Sequence, residues 1–203
     1  MPSAEPLSRQ PSSTTHALIV MGVSGSGKTT IANALVAQSG YTFAEGDDFH
    51  PTANVEKMHA GHPLDDDDRW PWLRAVAQWI GEHERSGTSV VVTCSALKRY
   101  YRDLLRRNNN SVWFVHLTLP TATLADRLQR RKGHYMPASL LDSQLATLEP
   151  LDADEPGITV AGDATPNEVA KDVLEALRTH RSGDLDVSDC AVTDGAPTQG
   201  PNS

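Results

Sequence analysis

The sequence predicts an α/β fold in which helices cover both faces of a five-stranded parallel sheet. Three observations carry this. Five short apolar runs rich in β-branched residues recur along the middle of the chain. Stretches with helical periodicity separate them. The runs are continuously apolar rather than alternating, as expected of strands buried on both sides.

The elements follow in order. Ala17–Met21 reads as the first strand, and Thr29–Ser39, with Ile31, Ala34 and Leu35 spaced along one face, as a helix closed by Gly40. Tyr41–Ala44 is the second strand. The run Asp65–Asp68 reads as a helix start, because acidic side chains favour the positive end. Pro71–Arg85 aligns Trp72, Leu73, Val76, Trp79 and Ile80, with Pro71 early, where its missing N–H costs little. Strand Ser89–Thr93 precedes helix Ala96–Arg107, strand Val112–Leu119 precedes helices Thr121–Arg131 and Ala138–Thr147, and strand Ile158–Ala161 precedes helix Pro166–Thr179. The Ser-, Pro- and Thr-rich residues 1–15 and the residues 182–203 are expected to be disordered tails around one domain at 16–181.

Charge and composition narrow the function. Eighteen basic against 26 acidic residues give a net charge of −8 in 203 residues. That argues against nucleic acid and anionic membranes as partners, since both need a positive field. The two cysteines, Cys94 and Cys190, form neither a disulfide framework nor a paired zinc motif. No secretory signal or membrane-length apolar run is legible, so a cytoplasmic protein is expected.

The first strand runs into Gly22-Val23-Ser24-Gly25-Ser26-Gly27-Lys28-Thr29, which fits G-x-x-x-x-G-K-[ST]. The glycines let successive N–H groups curl inward around phosphate oxygens, and the following helix adds its positive end. Lys28 should reach the β- and γ-phosphates of ATP, and the Thr29 hydroxyl should ligate Mg²⁺. Thr30 completes the nucleotide-binding stretch. No Asn-Lys-x-Asp follows, which removes the guanine-specific class. Asp47 and Asp48 lie just past the second strand, at the sheet edge where ligands of parallel sheets bind. The third strand ends without an Asp. Asp47 is therefore expected to support Mg²⁺ or to take the proton of an acceptor hydroxyl.

Five segments together resemble gluconokinases: GVSGSGKT at Gly22–Thr29, GDDFHP at Gly46–Pro51, NVEKMHAGHPLDDDDRWPWL at Asn54–Leu73, VVVTCSALKRYYRDLLR at Val90–Arg106 and RLQRRKGHYMP at Arg127–Pro137. The resemblance spans about residues 17–178. It implies a three-layer P-loop kinase fold of strand order 2-3-1-4-5 with a helical lid at about 124–147, similar to shikimate and nucleoside-monophosphate kinases. It implies transfer of phosphate from ATP to O6 of D-gluconate, with Mg²⁺.

On this resemblance Asp47, His50, Lys57, Arg69, Ser95 and Lys98 face gluconate, Arg99 adds a further cation, and Asp67 or Asp68 meets its hydroxyls. His50, His59 and His62 fit no zinc spacing. Arg127 and Arg131, four apart on one helix face, would clamp ATP from the lid before Gly133–Pro137. The loop Val160–Pro166 would pass beside the adenine. Cys94 reads as a small buried residue. The alternatives are another small-molecule kinase, acting on shikimate or a nucleotide, and a non-catalytic ATP-binding regulator. A homodimer and a monomer are both open.

Overall fold

The computed structural model describes residues 15–130 and 138–188. Five strands, β1 (Ala17–Met21), β2 (Thr42–Ala44), β3 (Val90–Thr93), β4 (Val112–Thr118) and β5 (Gly157–Ala161), form one sheet in the order β2-β3-β1-β4-β5. Every pairing is parallel, and Ala17 sits opposite both Val90 and Val112. The expected fold class and strand order are those observed.

All five residues of β1 are buried, and they divide between two cores. Ile19 and Met21 pack with Trp72, Leu73, Val76 and Ile80 of helix α3 (Asp66–Arg85). Leu18 and Val20, pointing the other way, pack with Ile31 and Leu35 of α1 (Lys28–Ser39) and Val173 and Leu177 of α7 (Pro166–Ser188). A strand's period of two thus feeds both layers, and each fully buried aliphatic side chain contributes about 1.5–3 kcal/mol.

Four local features differ from the expected elements. Gly46–Phe49 forms a 3₁₀ turn, and Thr52–His59 forms a short helix, α2. Neither was expected: α2 buries only Asn54, so it lacks an apolar stripe. The Asp run and the Pro71 stretch are one helix, α3, capped at Asp65 by a reciprocal box with Asp68. Pro71 therefore lies inside the helix rather than at its start, where it removes one backbone bond. Finally, α7 continues to Ser188, past the helix end expected at Thr179, since extending an existing helix fixes only one residue per added bond. The remaining helices are α4 (Arg99–Arg106), α5 (Thr121–Arg130) and α6 (Ala138–Thr147). Arg131 and Gly133–Pro137 fall outside the described residues.

Candidate active site

The turn after β1 is a cradle built from glycines with left-handed backbone: φ is 136° at Gly22, 82° at Gly25 and 95° at Gly27. Side chains other than glycine's are strained there. Val23 is buried, Ser24 and Gly25 are partly covered, and Ser26 is buried. Lys28 opens α1 and its Nζ donates to the Val23 carbonyl at 3.2 Å. The Ser26 hydroxyl is buried with no hydrogen-bond partner. An orphaned donor inside a ring of backbone amides suits a phosphate oxygen. Thr30 is exposed on the first turn of α1.

The carboxylate that meets the Thr29 hydroxyl is Glu45, not Asp47. Thr29 Oγ1 donates to Glu45 Oε2 at 2.9 Å, and the other Glu45 oxygen accepts from Thr93. Thr93 Oγ1 in turn accepts from the Gly46 N–H at 3.0 Å. This pair of hard oxygen donors at a helix N-terminus fits Mg²⁺, which keeps most of its waters and needs few protein ligands. Among the described residues no cluster of three His, Cys, Asp or Glu side chains is spaced to hold a metal. Glu45 carried the same signal as Asp47, a carboxylate at a strand's C-terminal end. The 3₁₀ turn separates the two: it leaves Glu45 at the strand end and carries Asp47 outward. Gly46 permits this turn, since a Cβ there would lie 1.8 Å from the Thr93 carbonyl oxygen.

Asp47 instead lines a cavity of about 520 Å³ together with Lys28 and Ser24 of the cradle. Of the other expected acceptor contacts, His50, Arg69, Ser95, Lys98 and Asp67 also line it. Burial pushes the His50 imidazole down to about 4, with Asp47 opposing and Arg69 reinforcing the shift, so the ring is neutral near pH 7. Arg69 donates to the Leu64 carbonyl at 3.3 Å and stands 5.8 Å from the Tyr101 ring. It makes no ion pair with a described carboxylate.

Three expected cations are paired with carboxylates, two of them away from the cavity. Lys57 does not line the cavity; it is paired with Asp65 at 3.1 Å and with Asp68, the two carboxylates of the α3 cap, which raise its pKa. Lys98 reaches the cavity but donates to Asp66 at 2.9 Å and to Tyr100 at 2.7 Å. Asp66 also accepts from the hydroxyls of Tyr100 and Tyr101, and these three partners hold its carboxyl well below the usual range. Arg99 lies away from the cavity, clamped by Asp152 at 3.0 Å, Asp154 at 2.9 Å and Asp103 at 3.3 Å. Burial pushes the Cys94 thiol up to about 12, so it is no nucleophile.

The far wall comes from the lid region. Arg127 donates to the carbonyls of Ser26 at 3.4 Å and Gly162 at 3.1 Å, bridging the cradle and the β5–α7 loop. Ser143, Gln144 and Thr147 of α6 line the cavity, and Gln144 Oε1 accepts from the Ser24 N–H at 2.7 Å. The sequence offered no signal for Gln144, a single amide on a short amphipathic helix. Leu124 and Leu141 pack with Val23 and Leu97, seating α5 and α6 on the cradle.

A phosphate cradle at the carboxyl edge of a 2-3-1-4-5 parallel sheet, opening sideways into a polar cavity, places the protein among the P-loop kinases of small molecules. A model of the AAA domain, a P-loop fold, matches residues 18–151. The chain belongs to the gluconokinase family. The gluconokinase of Gluconobacter oxydans is 54% identical over 77% of this chain and 88% of its own length. A solved gluconokinase from Sinorhizobium meliloti is 42% identical, covers 86% of this chain and 98% of its own, and superposes with a TM-score of 0.74. A solved sugar kinase from Janibacter is 49% identical over 81% and 95%, with a TM-score of 0.77.

Proposed function

We propose that this protein transfers the terminal phosphoryl group of ATP to O6 of D-gluconate, giving ADP and 6-phospho-D-gluconate. The observation that carries the reading is the joint placement of Lys28, Asp47 and Arg69 on one cavity. Lys28 is the charge for the phosphates, Asp47 the carboxylate for the acceptor hydroxyl, and Arg69 the cation for the sugar-acid carboxylate. A guanidinium binds a carboxylate through two parallel hydrogen bonds, which fixes its orientation as well as its charge.

Catalysis rests on positioning and charge neutralisation. The cradle amides and Lys28 hold the phosphates. Asp47 orients the attacking hydroxyl and accepts its proton as the new bond forms. Mg²⁺, when bound, supplies charge neutralisation of the phosphates, and Thr29 and Glu45 would hold it. Arg127 closes the adenine end beside the β5–α7 loop, and α5 and α6 exclude water from the transfer. No helix of the described residues is long and apolar enough to cross a membrane, and Cys94 is buried and unpaired; a cytoplasmic setting is part of the same proposal.

The test is ADP release measured over a panel of gluconate, other sugar acids, shikimate and nucleoside monophosphates. Gluconate is expected to give the highest kcat/KM, and Lys28→Ala to lose at least about 10²-fold in kcat with the fold intact. Preference for another acceptor would overturn the substrate assignment. ATP binding without ADP release on any acceptor would instead make the protein a regulator.

A further inference from the structure

Helix α2 contributes a buried amide that touches no cavity surface yet fixes the chemistry of one that does. Asn54 is 5% exposed. Its Nδ2 donates to the Asp68 carbonyl at 2.7 Å, and the same nitrogen lies 3.3 Å from His50 Nδ1. A carbonyl oxygen can only accept, so the atom facing Asp68 must be the amide NH₂ rather than the amide oxygen. That NH₂ has a second hydrogen, and it cannot accept one. His50 Nδ1 must therefore be the bare, accepting nitrogen, and the ring proton must sit on Nε2. The ring is held flat against Trp72, with centroids 4.2 Å apart and planes at 15°, and Trp72 is pinned by its indole N–H to the Gly46 carbonyl at 2.7 Å. His50 and Asp47 line the same cavity.

We propose that Asn54 is a positioning residue: it locks His50 as the Nε2–H tautomer, so that His50 serves as a neutral donor to an oxygen of the acceptor substrate while Asp47 serves as the acceptor. A hydroxyl whose oxygen accepts from Nε2–H has its own proton directed elsewhere, toward the carboxylate. With the opposite tautomer, Nε2 would compete with Asp47 for that proton. The charged groups acting on the ring are Asp47 from the 3₁₀ turn and Arg69 from α3. The substrate half of this inference rests on the gluconate reading above.

The tautomer is read by ¹⁵N–¹H correlation of histidine-labelled protein without substrate, the His50 signals being assigned by their loss in His50→Gln. Wild type is expected to show a protonated Nε2 and a bare Nδ1. Asn54→Asp replaces the donor by an acceptor of the same shape and should move the proton to Nδ1. Turnover of gluconate should then fall about 10- to 100-fold, the usual effect of removing a residue that orients a ligand-binding histidine, with KM for ATP unchanged. Asn54→Ala imposes no tautomer and should be milder. Because Asn54→Asp also loses the bond to the Asp68 carbonyl, a purely structural role predicts that turnover follows melting temperature in both variants. Turnover that follows melting temperature in this way, or a wild-type proton on Nδ1, would overturn the proposal. Should Asn54→Asp not fold, the wild-type spectrum still decides. Wild-type inactivity on gluconate would sink the substrate reading alone, leaving the tautomer to be judged on its spectrum.

Discussion

At the scale of single residues, the site distinguishes carboxylates by what they hold. Glu45 is tied to the hydroxyls of Thr29 and Thr93, whereas Asp47 faces the cavity. Glu45→Gln keeps an oxygen for Thr29 but removes the charge. The Mg²⁺ concentration for half-maximal turnover should rise about tenfold or more, with KM for gluconate little changed. An unchanged Mg²⁺ titration would place the metal elsewhere. The cations separate in the same way. Arg69→Met should raise KM for gluconate about 10- to 100-fold, as expected for losing a hydrogen-bonded charge partner, while Lys57→Met should leave it within about twofold. Steady-state kinetics of the two variants against gluconate test this directly. The sequence made Lys28 and Thr29 legible because the glycine spacing fixes where their backbones must lie. It could not separate Arg69 from Lys57, Lys98 and Arg99. All four are cations in the right segments, and only the fold shows that Asp68, Asp66 and Asp154 have taken three of them.

At the scale of elements, α5 and α6 sit against the glycine cradle, α6 lining the cavity and α5 carrying Arg127. Arg127 spans two carbonyls on different segments, a contact that needs the planar fork of a guanidinium. Arg127→Lys keeps the charge and loses the bridge. ATP affinity should fall about tenfold without a change in melting temperature, as read by nucleotide titration and thermal unfolding of the same sample. Equal affinity would reduce Arg127 to a structural bridge between the cradle and the β5–α7 loop. The strands were legible because short, continuously apolar β-branched runs alternating with helices are the pattern of a parallel sheet covered on both faces. Helix α2 was not, because it contributes one buried polar residue and no apolar stripe. The start of α3 was legible from its acidic cap even though Pro71, one turn in, suggested a later beginning.

For the molecule as a whole, the connection between α6 and β5 is fixed by a fully buried ion pair. Arg102 meets Glu155 through two bonds of 2.7 Å, and its remaining donors reach the carbonyls of Ala96, Glu149 and Pro150. Arg102→Met should cost about 3–5 kcal/mol by chemical denaturation, since it strands a buried carboxylate, and adding Glu155→Met should recover much of that. Additive losses would show that the pair does not act as a unit. Acid should weaken the fold in two stages. His50 has its folded pKa pushed down to about 4 from 6.5 by burial, so the unfolded chain binds the proton more readily and stability falls as pH drops from 6.5 to 4. Burial raises the Glu155 carboxyl most, but the Arg102 hydrogen bonds, the Asp152 N–H and the charges of Arg102 and Arg99 together outweigh it and hold its pKa below 4.5. Its contribution is present above 4.5 and is lost as pH falls through that lower value. His50→Phe should shrink the first stage, leaving the part due to His116, whose pKa burial also lowers, and should leave the second, as followed by melting temperature against pH.

The contact between Trp72 and His50 has a practical side. An indole face lying on an imidazole makes the emission of that tryptophan sensitive to whatever approaches the imidazole, and its N–H is already committed to the Gly46 carbonyl. On the proposed assignment the protein thus carries an optical gauge at the acceptor end of its cavity. With Trp70, Trp79 and Trp113 replaced by Phe, the remaining indole would time the arrival of the sugar acid.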